Sequence, residues 1–361
     1  MENSDISEQT LLPDSAYELC DRLRAGASGV DLSRTWPSEQ IRSCAELGLF
    51  RWFIPEAYGG WQWNESQILE GYLELSQSCL TTAFVVTQWH AACRRILASE
   101  NQTLKERLLP QLASGEKFVT VGISHLTTSR QHLAKPALAA ELLADGRLLL
   151  DGYSPWVTSA CAADTIVVGA TLADGRQVLV ALPTDRVGVQ VGPGQSLLAL
   201  TASCTDQVTL QQVEILPEEI LAGPIENVMA LGTGGGTGGL QTSTLAVGLT
   251  LAAVDFICQQ AEQRDELLPV AEKLASDTEA LRIVLRDLTE GRQSIAPGEL
   301  RQRANSLVLR ATQAALSAAK GAGFVSGHVT GRMAREALFF LVWSCPQPVV
   351  SANLCELAQL Q

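Results

Sequence analysis

The spacing of apolar residues changes twice along this chain of 361 residues, and that order constrains the fold more than any other feature. Up to about residue 118 the spacing is helical, as in 68–79, where side chains at i, i+4, i+7 and i+11 are apolar. From about 119 to 222 it becomes a series of short β-type runs, and beyond Pro224 the helical spacing returns, most clearly in 300–318. The sequence therefore predicts helices, then a β region, then helices.

The β-type runs lie close together in mid-chain, at 148–150, 165–168, 178–182, 187–191 and 208–210. Asp145-Gly146 and Asp174-Gly175 are hairpin-type turn pairs. Strands grouped in this way predict a self-contained antiparallel unit rather than an alternating βαβ sheet. We therefore expect an α+β chain with an N-terminal α-helical domain (1–118), a middle antiparallel β-barrel domain (119–226) and a C-terminal helical bundle (227–361).

Composition excludes several classes of partner. A net charge of −13, from 26 basic and 39 acidic residues, would repel a phosphate backbone, so no nucleic acid is expected. No stretch has the roughly 18 uncharged apolar residues that span a bilayer, so no membrane is expected either. Nine scattered cysteines without a CxxC pair indicate buried thiols in a reducing compartment, and we expect a cytoplasmic protein.

The glycine-rich stretch at 232–239 stands where the β region gives way to helix. It matches neither GxGxxG after a strand nor a phosphate-binding loop that ends in GK[ST]. We interpret it as a flexible connection. Low charge with much alanine and leucine in the helices favours packing against other subunits, and hence a homo-oligomer.

Five segments, in order along the chain, resemble those of one family. LGLF at 47–50 with IPEAYGG at 54–60 resembles the GLF…PEEYGG signature of the acyl-CoA dehydrogenases, and KERLLPQLASGEK at 105–117 resembles their KERYLPxLASGEK. WVTSA at 156–160 resembles WITNA, and LALTASCT at 198–205 followed by VEILP at 213–217 resembles LGLRxSxT…VxVP. GAGF at 321–324 resembles the GGxGY turn. The matches cover about residues 45–345.

This resemblance implies a helical domain, a β domain and a C-terminal four-helix bundle through which subunits assemble as a homodimer or homotetramer. It implies FAD as cofactor, held between the β domain and the bundle and partly contacted by a neighbouring subunit. It also implies a small organic or acyl-thioester substrate. The spacing of apolar residues predicts the same domain order.

The glutamate that serves the family as catalytic base is missing. In the segment that corresponds to YEGTSE this chain reads WSCPQP at 343–348, so Ser344 occupies the base position. A serine hydroxyl does not accept the substrate proton near neutral pH. Some members carry the base in the segment that opens the bundle, but here that segment is the glycine-rich stretch, which has no carboxylate. The family's arginine in the same segment, which contacts the acyl-CoA, falls on Thr237 or Gly239.

The residues that the resemblance assigns to FAD are partly retained. Trp156 and Thr158, with Val157 between them, stand where the family packs a tryptophan on the isoalloxazine and bonds a threonine near N5; the alternative for Trp156 is a core residue of the barrel. Ile123 and Ser124 open the segment that corresponds to TEPxxGSD.

Two further positions concern phosphates and the subunit interface. In the rest of the TEPxxGSD segment glycine and aspartate are lost, while Ser129 and Arg130 could meet a phosphate or substrate. Arg264 matches the arginine of RxxFG, which reaches FAD across the subunit interface. The FG is missing from this chain, which predicts a weakened contact.

Three functions follow as alternatives. One is a dehydrogenase with an atypical or unidentified base. Glu336 and Glu356 are acidic residues near the C-terminal anchor, but their pattern is more typical of solvated helix faces than of a base. Another is a flavin monooxygenase of the same fold, which dispenses with the glutamate. Its candidate catalytic residue is His90, with a core histidine as the alternative, and His125 in the flavin-contacting loop is a weaker candidate. The third is a non-catalytic binding or assembly protein.

Overall fold

The computed structural model describes residues 12–127, 135–231, 240–292 and 295–360. The first part is helical, with α1 (Asp14–Ser33), α2 (Ser38–Glu46), α3 (Glu65–Ser78), α4 (Leu80–Ala98) and α5 (Gln102–Ser114). The middle part contains β1 (Val119–Gly122), α6 (Ser124–Thr127), β2 (Leu138–Leu142), β3 (Leu148–Val157), β4 (Thr165–Leu172), β5 (Gln177–Pro183), β6 (Val189–Val191), β7 (Asp206–Ile215) and β8 (Ile220–Ile225). The last part contains α7 (Leu240–Ala261), α8 (Leu268–Thr289), α9 (Pro297–Ala319), α10 (Val329–Ala337) and α11 (Gln347–Leu357).

Helices α3 and α4 form the part of the N-terminal region that matters for the site. A reciprocal pair of hydrogen bonds begins α3: the Asn64 side chain accepts from the backbone N–H of Gln67, and the Gln67 side chain accepts from that of Asn64. Residues 80–87 of α4 are buried on every side of the helix. Since α4 also packs on β1, it is fixed against both the helical and the β parts of the molecule.

The β region forms a single sheet with strand order β6-β7-β3-β2-β4-β5-β8, and β1 also pairs with β4. The predicted turns join β2 to β3 and β4 to β5, with φ of +87° at Gly146 and +88° at Gly175. The sheet is mixed rather than purely antiparallel, because β4 runs parallel to both β1 and β2. Long connections separate these pairs along the chain, as parallel pairing requires. Within the described strands, β6 and β8 end the sheet without pairing to each other.

The C-terminal region is helical, as predicted. Helix α7 packs against α3, α8 and α9, while α10 and α11 both lie on α9. The fourth element of the bundle is thus divided in two, and the division falls beside Pro346, which disfavours a helical conformation at Cys345.

Helix α7 is, among the described residues, the one helix with the length and mean hydropathy, 1.4, of a membrane-spanning segment. Of its apolar window, 67% is buried inside the protein, as expected of the core helix of a bundle. Its apolar character is therefore explained by packing against its neighbours.

Candidate active site

A cavity of about 1230 Å³ lies where the three regions meet. Helices α3 and α4 form one side, and β1, Ile123, Ser124 and the segments 156–158 and 197–205 form another. The first turn of α7 and parts of the segment 335–344 complete the wall. Binding pockets of small molecules usually measure about 300–1,000 Å³, so this cavity has room for a large ligand.

The β side presents Trp156 to the cavity. Pairing of β3 with β7 shifts register between Ser154 and Val157, and Trp156 takes a left-handed φ of +56°. As a result the indole is 58% exposed on the cavity side, while Val157 beside it is fully buried and does not line the cavity. An exposed indole beside a buried neighbour is a surface suited to stacking on a planar ligand.

Hydroxyl groups flank this indole. The Ser124 hydroxyl donates to the carbonyl of Pro155 at 2.8 Å, and the hydroxyl oxygens of Thr158 and Thr205 lie 2.9 Å apart. Thr158 also accepts from the Thr120 hydroxyl at its backbone carbonyl. Ser124, Thr158 and Thr205 line the cavity, so these bonds fix polar groups at the ligand surface.

Helix α4 presents a stripe to the opposite side, made of Phe84, Thr87, Gln88, Ala91, Arg94 and Arg95 together with His90. His90 is buried, with Nδ1 3.1 Å from the hydroxyl oxygen of Tyr72. Burial first, and then the positive charge of Arg94, lower the pKa of His90 to about 3. The imidazole is therefore neutral at physiological pH and can exchange hydrogen bonds with a ligand.

Ser344 lines the same cavity at its aromatic end, next to Trp343 and near Phe339. It has a left-handed φ of +49°. The buried guanidinium of Arg301 donates to the carbonyl of Trp343 at 2.8 Å, which fixes the turn that carries Ser344. Among the described residues of the cavity wall, Glu65 is the single carboxylate.

The chain is similar in sequence to known acyl-CoA dehydrogenases. Residues 7–116 match the family model of the acyl-CoA dehydrogenase N-terminal domain. The chain is 23% identical to cyclohex-1-ene-1-carbonyl-CoA dehydrogenase of Geobacter metallireducens, over 91% of this chain and 92% of that protein. It is 24% identical to probable acyl-CoA dehydrogenase YngJ of Bacillus subtilis, where the match spans 66% of this chain and 64% of the relative. The chain thus resembles acyl-CoA dehydrogenases along most of its length, and its N-terminal region matches their N-terminal domain.

Solved structures share this fold over almost the whole chain. Butyryl-CoA dehydrogenase from Megasphaera elsdenii superposes with a TM-score of 0.81 at 18% identity, covering 97% of this chain and 99% of that one. Dibenzothiophene monooxygenase TdsC from Paenibacillus superposes with a TM-score of 0.78 at 18% identity, covering 94% of each chain. At these identities the likeness establishes the fold and leaves the chemistry to the site.

Six of the sequence-predicted site residues meet at this cavity: His90, Ile123, Ser124, Trp156, Thr158 and Ser344. Arg264 lies away from it and donates to the carbonyl of Ala318 at 2.6 Å and to Glu266 at 3.1 Å. Its predicted role across a subunit interface stays a prediction. Ser129, Arg130 and the glycine-rich stretch lie outside the described residues.

Two expectations from the sequence are wrong: that His125 contacts the flavin site and that Glu336 lies on a solvated helix face. His125 is buried and does not line the cavity; its Nε2 lies 2.7 Å from the carbonyl of Gly169. The imidazole thus faces β4 rather than the cavity. Glu336 is 2% exposed rather than solvated, and burial raises its pKa despite the positive charge of Arg332 on the preceding turn.

Sequence reasoning missed the basic end of the α4 stripe and two polar partners in the wall, Tyr72 and Gln241. Arg94 and Arg95 are adjacent in sequence and continue an i, i+3, i+4, i+7 pattern that starts at Phe84. That continuation was the available signal. It was hidden because α4 is apolar on several faces, so the sequence does not show which face borders a cavity.

Proposed function

We propose that this protein is an FAD-dependent oxidoreductase that works without the glutamate base of acyl-CoA dehydrogenases. The observation that carries the proposal is the meeting of Trp156, Thr158, Ser124 and Ile123 with His90 and Ser344 at one cavity. We further expect a homodimer or homotetramer that acts in the cytoplasm on a small organic or acyl-thioester substrate.

The residues present fit a flavin. The indole of Trp156 would cover one face of the isoalloxazine ring, which accounts for a large aromatic side chain left 58% exposed inside a cavity. The Ser124 hydroxyl uses its proton on Pro155, so its lone pairs remain to accept from ligand N–H groups. The hydroxyls of Thr158, Thr205 and Ser203 form a chain of two hydrogen bonds, so that one of their three protons remains to be donated.

A bound flavin supplies two-electron transfer, and the residues of this chain then decide what is oxidised. Ser344 stands at the base position and cannot abstract a proton from carbon near neutral pH. A substrate dehydrogenated here must therefore lose its proton readily or through another group. Neutral His90 and Tyr72 can position a polar substrate atom by hydrogen bonds, and they hold no charge that would repel an anion.

A flavin monooxygenase is the second candidate. The observation that favours it is the buried His90 on the cavity wall combined with Ser344 in place of a base, because oxygen chemistry does not require α-proton abstraction. The fold likeness to TdsC is compatible with either activity.

The first test is whether purified protein carries or takes up flavin. We expect a yellow protein, and at least about fivefold weaker FAD binding in Trp156→Ala, since an aromatic contact contributes roughly 1 kcal/mol beyond its buried area. Trp61→Ala, which removes an indole that is 37% exposed away from the cavity, should bind FAD as the parent does. A colourless protein that takes up no added FAD would reject both enzymes in favour of a binding role.

A second measurement separates the two enzymes once flavin is bound. Bleaching of the flavin by an acyl-CoA under anaerobic conditions supports dehydrogenation. Reduced flavin that consumes oxygen productively only when an organic substrate is present supports the monooxygenase.

A further inference from the structure

The stripe of α4 that borders the cavity has two chemically different ends. Phe84 packs edge-on against Phe339 and Trp343, with ring centroids 4.9 and 5.1 Å apart. Arg94 and Arg95 lie three helical turns further along the same stripe. At 1.5 Å per residue, roughly 15 Å separates the aromatic end from the basic end.

The guanidinium of Arg95 is incompletely satisfied. It donates from Nη1 to the carbonyl of Ala91 at 3.0 Å, on its own helix. No carboxylate lies within 4.0 Å of it among the residues that the structure describes. A guanidinium carries five N–H donors in a fork that matches a carboxylate or phosphate. Arg95 also lines the cavity.

Among the residues that the structure describes, none provides a counterion for Arg95 within 4.0 Å. Burial, and then the adjacent charge of Arg94, lower the pKa of Arg95 to about 10, which still leaves it protonated at neutral pH. Arg335, the third arginine among the described residues of the wall, is already bonded to Asp31. Glu65 lines the cavity but forms no ion pair with Arg95. An anion that entered here would gain a charge-assisted hydrogen bond in a partly dehydrated site.

We propose that Arg95, beside Arg94, binds an anionic group of the substrate, so that the substrate is an organic anion with an apolar body directed toward Phe84. That the bound anion is a substrate rests on the proposed function. That an anion binds at Arg95 rests on the cavity alone. The phosphate of a flavin has the same chemistry as a substrate anion. The experiment therefore treats the two sources separately.

Octanoate and octan-1-ol serve as probes because they share an apolar body and differ in charge. Binding is followed by the change in tryptophan fluorescence, since Trp156 and Trp343 line the cavity. We expect Arg95→Met to weaken octanoate binding at least tenfold and to leave octan-1-ol binding unchanged, because a hydrogen bond to a charged group is lost. Arg95→Lys should keep part of the affinity. Arg107→Met, an equal loss of charge on the exposed side of α5, should change neither.

The same variants are titrated with FAD, FMN and riboflavin. The proposal is supported if Arg95→Met binds all three flavins as the parent does while losing octanoate. It is overturned if octanoate binds parent and Arg95→Met equally. It is also overturned if Arg95→Met abolishes a preference for FMN over riboflavin, because the arginine would then serve the cofactor. Octanoate binding that depends on Arg95 in a protein that takes up no flavin keeps the anion site and rejects the proposed oxidoreductase.

Discussion

The hydroxyl oxygen of Tyr72 lies 3.1 Å from Nδ1 of His90, in the wall of the cavity. Gln241 makes a further hydrogen bond to the Tyr72 side chain, so α3, α4 and α7 are joined by three polar groups. The ring of Phe53 covers the imidazole at a centroid distance of 4.2 Å. This packing excludes water from one side of His90, which is why burial dominates the lowering of its pKa.

The lowered pKa of His90 predicts a loss of stability in acid. The unfolded chain binds a proton at His90 near pH 6.5, whereas the folded chain binds it only near pH 3, so the free energy of unfolding falls as the pH drops between these values. The loss reaches roughly 3 kcal/mol at pH 4.5. Urea unfolding at pH 6.5 and 4.5 should show a smaller decrease for His90→Phe than for the parent. His328→Gln is the control, and equal decreases in all three proteins would contradict the prediction.

Close packing of α7 on α3 predicts that Gly248→Ala is destabilising. A Cβ at Gly248 would lie 1.9 Å from the Ser76 hydroxyl oxygen and 2.7 Å from the carbonyl of Leu73. Overpacking of this kind costs about 1–3 kcal/mol. Gly29→Ala is the matched control, because Gly29 lies inside α1 with nothing within 4 Å, and alanine should stabilise that helix by about 0.5–1 kcal/mol. Chemical denaturation measures both, and the same sign for both variants would refute the packing argument.

Most of the fold was predictable because its signals are local. Hydrophobic spacing identified the helices, and Asp-Gly pairs identified two turns whose glycines have positive φ. The parallel pairing of β4 with β1 and β2 was not predictable, because it depends on strands more than 20 residues apart in sequence. The break between α10 and α11 had a local signal in Pro346 and Pro348, whereas the resemblance implied a four-helix bundle without indicating where its last element is interrupted.

The candidate site was likewise predictable only in part. His90, Trp156 and Ser344 come from three separate regions, and only the resemblance suggested that they would meet. The orientation of His125 toward the carbonyl of Gly169, and the burial of Glu336, depend on neighbours in the folded chain. Such contacts leave no periodic signal in the sequence.

Cys161 should be the most reactive thiol of the protein. It is exposed, and a hydrogen bond from the buried Cys204 thiol lowers its pKa to about 7. Near neutral pH about half of it is then thiolate, the form that reacts with alkylating agents. Mass spectrometry after a short iodoacetamide treatment should find Cys161 modified before Cys258 and Cys355, which are also exposed.

Removal of the hydrogen-bond donor tests the cause of this reactivity. In Cys204→Ala the alkylation rate of Cys161 at pH 7 should fall about tenfold, and the midpoint of its pH profile should move toward the ordinary thiol value near 8.5. The rate at Cys355 in the same sample serves as an internal control. An unchanged rate at Cys161 would show that the Cys204 thiol does not set its pKa.

Ser344 offers a direct test of what the site has lost. Because Ser344 lines the same cavity as Trp156 and Thr158, a carboxylate at this position would face a flavin bound there. A positioned general base typically contributes about 10²–10⁴-fold in rate. We therefore expect FAD-loaded Ser344→Glu to be reduced by butyryl-CoA under anaerobic conditions at least 100-fold faster than Ser344→Gln, which has the same shape without the base. The Arg301 bond to the Trp343 carbonyl should hold the turn in both variants. If both bind FAD and neither is reduced, the divergence of this chain extends from the base to thioester recognition, and the substrate must be sought among free organic anions.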